Sequence, residues 1–176
     1  MGGKPLTSSA RRIAWNRFQR SWLACSLLAA GAPAWAGQAQ TTFIASTTVA
    51  PICSFTVINL NFGAIAAAPT VNVDATSTVT ATCTSGTPYS MVLNAGNGRG
   101  ANVETRKMTS GAYTLNYSLY TNAGRTIVWG DGTRGSPVSN TGSGAAQAIT
   151  VFGRVFGGQT VPTATYNDTI LVTLTF

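Results

Sequence analysis

Catalysis and metal binding draw on a few kinds of side chain, and this chain of 176 residues is poor in them. It contains no histidine, which removes the commonest general base and the commonest metal ligand. Charged residues make up 9% of the chain, against roughly 25% in an average domain. Beyond residue 36 the acids are Asp74, Glu104, Asp131 and Asp168, scattered along the sequence, with Asp131 and Asp168 in turn-like contexts. No serine sits in a nucleophile elbow. These residues do not make an enzyme, and no cofactor or metal set is expected. Tyr89, Tyr117, Tyr120, Trp129 and Tyr166 offer aromatic faces of the kind that bind sugars. The expectation is that they pack in a core and at turns, because aromatics dominate the cores of β sandwiches. Arg106-Lys107 reads as a solvated pair. Asn116-Tyr117-Ser118 and Asn167-Asp168-Thr169 match the glycosylation sequon, a short signal of low specificity.

The remaining reactive side chains are three cysteines, and their meaning depends on the first 36 residues. Lys4, Arg11, Arg12, Arg17 and Arg20 form a basic stretch without an acid. An apolar run follows over 22–31, too short to cross a bilayer, and Ala34-Trp35-Ala36 fits a small-x-small cleavage site. Residues 1–36 therefore read as a secretory signal peptide cut after Ala36, and no stable membrane insertion is expected. Cys25 leaves with the leader, so Cys53 and Cys83 remain. An even pair in an exported chain reads as one disulfide. It closes a loop of about 31 residues, worth roughly 3–4 kcal/mol in the chain-entropy model. The formal charge of +7 also belongs mostly to the leader. The remainder has six cations against four acids, too few and too dispersed to favour nucleic acid as a partner.

The elements that must carry these residues are strands. Helical periodicity is absent, and period-2 alternation recurs. Val79, Ala81 and Cys83 share one face, as do Tyr89, Met91 and Leu93. Leu115, Tyr117 and Leu119 follow, then Ile149, Val151, Gly153 and Val155. Ile170, Val172, Leu174 and Phe176 alternate to the last residue. Turn-forming clusters rich in Gly, Asn, Ser and Pro separate the runs, for example 85–88, 94–100 and 130–135. Short strands at this spacing predict an all-β, immunoglobulin-like sandwich. One further alternating stretch, 41–49, puts Phe43, Ala45, Thr47 and Val49 on one face ahead of Pro51 and the first core cysteine. It reads either as an ordinary first strand or as a strand that pairs with another chain. An unprotected edge in so β-rich a chain invites aggregation.

Four blocks carry a family resemblance. They are Cys53-Ser54-Phe55-Thr56-Val57-Ile58-Asn59-Leu60-Asn61-Phe62-Gly63; Val79-Thr80-Ala81-Thr82-Cys83 continuing through Leu93-Asn94-Ala95-Gly96; Leu115-Asn116-Tyr117-Ser118-Leu119-Tyr120-Thr121 with Trp129-Gly130; and Val151-Phe152-Gly153 with Gln159 and Tyr166-Asn167-Asp168-Thr169. In this order they resemble the spore coat protein U-like pilins of archaic chaperone–usher pili. The resemblance implies an incomplete immunoglobulin-like sandwich lacking its final strand, with an open hydrophobic groove. It implies that 37–50 is a donor-strand extension and 51–176 the pilin domain. By the same resemblance, Phe43, Ala45, Thr47 and Val49 plug the groove of a neighbouring subunit. Ile170, Val172, Leu174 and Phe176 form the edge that a periplasmic chaperone pairs with. The implied partners are that chaperone, an outer-membrane usher, and neighbouring pilin subunits in a head-to-tail homopolymer or mixed fibre. Burying the donor side chains removes about 250–300 Å² of apolar surface, roughly 6–8 kcal/mol. The implied function is a surface pilus subunit of a Gram-negative bacterium, exported through the periplasm and supporting adhesion and biofilm formation. A spore or cell-coat structural protein and an adhesin or carbohydrate-binding module are the alternative readings.

Overall fold

The computed structural model describes residues 36–176. The expected leader therefore lies outside the described residues, apart from Ala36. Chain contacts group Ser46–Phe176 into one compact unit. Residues 36–45, which precede it, are exposed and carry no regular secondary structure.

Eight strands and no helix occur among the described residues. They are β1 (Cys53–Val57), β2 (Val73–Cys83), β3 (Pro88–Leu93), β4 (Arg106–Ser110), β5 (Tyr113–Tyr120), β6 (Val138–Thr141), β7 (Ala146–Val155) and β8 (Val172–Thr175). They form two sheets, β1-β2-β7-β5-β4 and β6-β3-β8, with every neighbouring pair antiparallel. The alternating runs point their apolar sets inward as strand geometry requires. Val79, Ala81 and Cys83 on β2 are buried against Met91 and Leu93 on β3 and Leu115, Tyr117 and Leu119 on β5. Trp129 is wholly buried, and its indole N–H donates to the Met91 carbonyl at 3.0 Å.

Two family blocks meet in this core. Gly153 on β7 lies opposite Leu119 on β5 and Ala75 on β2. A Cβ there would stand 2.8 Å from the Phe62 ring. The missing side chain makes room for Leu60 and Phe62, which follow β1 and reach in under the sheet. The Phe62 ring then meets Tyr117 edge-on, at a centroid distance of 6.1 Å.

The structure corrects the reading of Arg106 as solvated. Its side chain is fully buried on the inner face of β4. The guanidinium donates to four carbonyls: Asn94 at 2.9 Å, Val103 at 2.7 Å, Leu93 at 3.2 Å and Trp129 at 2.7 Å. These carbonyls end a strand or sit in loops, where no ladder N–H reaches them. An arginine fork answers several at once. Lys107, the next residue, is half-buried on the opposite face. Burial lowers the Arg106 pKa to about 10, against the raising influence of Tyr117, Asp168 and Asp131.

Candidate functional site: an open groove between two sheet edges

Each sheet ends on an unpaired edge, β1 in one and β8 in the other. The pairing register shows which side chains face inward. Phe55 lies opposite Ala81 and Val57 opposite Val79, both fully buried partners. Yet Phe55 and Val57 are 38% and 47% exposed. Across the sandwich, Leu174 lies opposite Met91 and Val172 opposite Leu93, again fully or almost fully buried partners. Leu174 and Val172 are only partly buried. Four inward-facing apolar side chains on two facing edges therefore lack part of their cover.

The space between the edges is a cavity of about 470 Å³, lined among others by Val57, Leu60, Val79, Leu93, Ile170 and Val172. A second cavity of about 680 Å³ shares Leu60, Phe62, Met108 and Tyr166 with it. The groove thus reaches from the edges into the sandwich.

The groove has two unlike ends. β3 ends at Leu93, which meets Val79 in the cavity wall, while Tyr89 reaches toward Gln147 beside Ala81. β3 therefore runs alongside β1, and β8, antiparallel to β3, runs against β1. At one end Cys53 pairs with Cys83 in register, and a disulfide joins them with their Cα atoms 4.1 Å apart. This bond fastens an edge strand that has a single neighbour. At the other end the lining turns polar, with Asn59, Ser77, Asn167, Asp168 and Thr169.

Asp168 organises the polar end. Its Oδ2 accepts the Tyr117 hydroxyl at 2.8 Å, and its Oδ1 accepts the N–H groups of Asn97 and Thr169, each at 2.8 Å. Burial raises the Tyr117 pKa well above the tyrosine range, and the hydrogen bond to Asp168 adds to it. Gly96 holds a left-handed φ of 81°, and any side chain there would run into the Asp168 carboxylate. Asn94 completes the clasp. Its N–H donates to the Leu171 carbonyl at 3.1 Å, and its side-chain oxygen accepts the Leu171 N–H at 2.9 Å. These bonds position the segment that leads into β8.

The structure places the expected residues as follows. Val172 and Leu174 lie on β8, whereas Ile170 precedes it, because Leu171 bonds to Asn94 rather than to β3. Phe176 follows the strand and is 55% exposed. Residues 36–52 carry no strand, and Phe43 and Val49 are 90% and 83% exposed. Sequence reasoning passed over Phe55 and Val57 as groove residues. Their alternation was visible, but which face lacks a partner depends on sheet order.

The three aspartates have structural partners. Asp74 receives Arg154 Nε at 2.8 Å and lies 3.2 Å from Arg125. The Arg154 hydrogen bond lowers its pKa. Asp131 accepts the N–H groups of Thr133 and Arg134 in a turn, which holds its pKa low. Among the described residues no cluster of three His, Cys, Asp or Glu side chains comes together. The arrangement offers main-chain donors and acceptors at two edges and an apolar trough between them, which is how one chain receives a strand of another.

These features define the class: an immunoglobulin-like pilin-subunit fold with an open groove. The chain belongs to the spore coat protein U domain family, whose model matches residues 39–173. It is 42% identical over 81 residues to Protein U of Myxococcus xanthus, a match spanning 45% of each chain. Among solved structures it is similar to the CsuC–CsuE chaperone–tip adhesion subunit pre-assembly complex from the archaic chaperone–usher Csu pili of Acinetobacter baumannii. That match has a TM-score of 0.53 and 27% identity, and covers 73% of this chain and 40% of the matched chain.

Proposed function

We propose that this protein is a structural subunit of a surface pilus, carried by a periplasmic chaperone to an outer-membrane usher and polymerised head to tail by donor-strand exchange. In this reading 37–50 is the donor extension and 51–176 the receiving domain. Phe43, Ala45, Thr47 and Val49 enter the groove of the next subunit. Ile170, Val172, Leu174 and Phe176 form the wall that the chaperone pairs with first. The fibre serves adhesion and biofilm formation at the cell surface, and the subunit itself performs no catalysis. The observation that carries this reading is the pair of facing open edges, β1 and β8, with inward apolar side chains left part-exposed. The likeness to a subunit captured with its chaperone supports the assembly route.

The test compares the full chain with one lacking residues 37–50, each produced in the periplasm with a chaperone and usher. A detergent-resistant ladder that collapses only on boiling, and is lost on deletion, is the expected outcome. Soluble folded monomer in both samples overturns the reading. A second reading, a polymerised spore or cell-coat protein, is favoured by the family's description and by Protein U. Imaging the polymer as thin surface fibres or as a continuous coat separates the two.

A further inference from the structure

We infer that the N-terminal half of β7 is a second docking edge, which pairs about a two-fold axis with the same edge of another copy and joins subunits side by side. β7 has β2 beside it from Ala146 to Val155, but β5 only over 152–155. After Tyr120 the chain turns back on its other side. The Thr121 N–H donates to the Ile127 carbonyl, and the Trp129 N–H to the Leu119 carbonyl. Arg125, at a left-handed φ of 54°, pins the tip of this turn to the far half of β7. Its Nε donates to the Gly153 carbonyl at 3.2 Å, and its Nη1 lies 3.2 Å from Asp74. Residues 146–150 are left without a neighbouring strand on that side.

The register fixes which groups are left over. The Thr78 carbonyl accepts the Ile58 N–H, and the Thr84 N–H donates to the Ile52 carbonyl. Even-numbered residues of β2 thus turn their main chain toward β1, and odd-numbered ones toward β7. Gln147, Ile149 and Val151, opposite the odd-numbered residues, bond to β2. Ala146, Ala148 and Thr150 therefore turn their N–H and C=O groups the other way. The Phe156 N–H, donating to Asn116 of β5, follows the same alternation. Among the described residues these N–H and C=O groups have no main-chain partner, and all three residues are exposed.

Bare edges in native sheets are ordinarily guarded by a charge, a proline or a bulge. Ala146-Gln147-Ala148-Ile149-Thr150 has no charge and no proline, and its pairing with β2 runs without a bulge. The adjoining outer face, with Thr78, Thr80 and Thr82 in register beside it, is uncharged as well. A second copy fits such an edge. Antiparallel pairing about a two-fold at Ala148 sets Ala148 opposite its own equivalent and Ala146 opposite Thr150, and each of these pairs exchanges two bonds. A charge at the axis would meet itself and repel, and Ala148 carries none.

Five residues a side fall short of the roughly 20–30 of a stable interface. The contact is therefore weak between two lone subunits. Repeated along neighbouring fibres it gains strength by multivalency. That repetition rests on the pilus reading, whereas the pairing itself is independent of strand donation.

The experiment uses the full chain exported with a chaperone and usher, as Ala148→Cys, Ala146→Cys and Thr150→Cys. Each is treated with a mild oxidant and boiled in detergent without reductant. Boiling separates subunits held only by a donated strand, so a surviving dimer is joined by the new disulfide. Bonded partners stand about 5.5 Å apart at Cα, within disulfide reach, whereas Ala146 lies about 13 Å along the strand from its own equivalent. The expected result is a dimer from Ala148→Cys alone. Ala146→Cys and Thr150→Cys each give at least ~tenfold less alone and dimerise when co-expressed. No dimer from Ala148→Cys, or equal yields at 146 and 148, overturns the inference. Electron micrographs of fibres give a second readout without new cysteines. Natural fibres lie side by side, Ala148→Lys and Ala148→Glu fibres each stay apart, and a mixture of the two joins again. Equal bundling of natural and Ala148→Lys fibres overturns the inference. An Ala148→Cys dimer with no heat-sensitive ladder before boiling sinks strand donation and leaves the side-by-side pairing standing.

Discussion

The Tyr117 hydroxyl donates to Asp168 Oδ2 at 2.8 Å, joining the middle of β5 to the turn that feeds β8. The same carboxylate holds the Asn97 N–H, so one side chain ties three separate segments at the polar end of the groove. Asp168→Ala is expected to destabilise the domain by about 3 kcal/mol, since it leaves a buried hydroxyl and a backbone N–H without their charged acceptor. Urea denaturation checks this. A change below ~0.5 kcal/mol means that water replaces the carboxylate there.

The raised Tyr117 pKa gives a pH dependence with a definite sign. The folded state keeps the hydroxyl protonated, while the unfolded chain ionises near the ordinary value of 10.0. The unfolded state then binds fewer protons, so stability is full below that pH and falls above it. Arg106, lowered by burial to about 10, acts in the opposite direction over the same range. A comparison that keeps Arg106 isolates the tyrosine. Tyr117→Phe is expected to flatten the alkaline loss of stability between pH 9 and 11. Parallel wild-type and mutant curves refute the assignment.

Arg106→Met tests the buried guanidinium. Four carbonyls lose their donor, and a loss of about 3–5 kcal/mol is expected, whereas Lys107→Met should stay within ~0.5 kcal/mol. Thermal unfolding of the two variants side by side measures the contrast. Similar values for both would mean that Arg106 packs without bonding.

Gly153 and Phe62 form a size-matched pair, so their substitutions should be coupled. Gly153→Ala pushes a methyl group against Leu60 Cδ2 and the Phe62 ring, at an expected cost of about 1–3 kcal/mol. Phe62→Leu in the same chain should recover part of that loss. Additive losses in the double-mutant cycle would show that the pair does not share one space.

Alternate residues of β1 should differ in their effect on strand capture. Phe55→Asp faces the groove, while Thr56→Asp faces away. A peptide of residues 41–50 should lose at least tenfold in affinity for the first variant and less than threefold for the second, differences of about 1.4 and 0.6 kcal/mol. Equal losses in calorimetry place the peptide elsewhere.

The strands with strict alternation were legible in the sequence, because a buried face shows itself as a period of two. β2, β3, β5, β7 and most of β8 fall where the apolar series runs. β4 and β6 escaped for opposite reasons. β4 opens on Arg106, whose burial depends on carbonyls brought from two distant segments, at Leu93-Asn94 and at Trp129. β6 reads Val-Ser-Asn-Thr, an edge strand with almost no buried face to mark it. The groove was legible only through the family resemblance. Period alone shows that Phe55 and Val57 share a face, and cannot show that the sheet stops beside them.

The position of the disulfide decides how the subunit bears a load. A chain pulled from its N-terminal side meets the hydrogen bonds between Ile52 and Thr84 and then Cys53, at the opening rung of the β1–β2 ladder. Hydrogen-bonded rungs give way one after another when an edge strand is peeled from its end. Here tension passes through a covalent link into Cys83 and thence into β2, which is flanked by strands on both sides. The four rungs of β1 beyond that junction are therefore not peeled from their N-terminal end, and β1 is loaded only from the trough side, where a captured strand pulls on it.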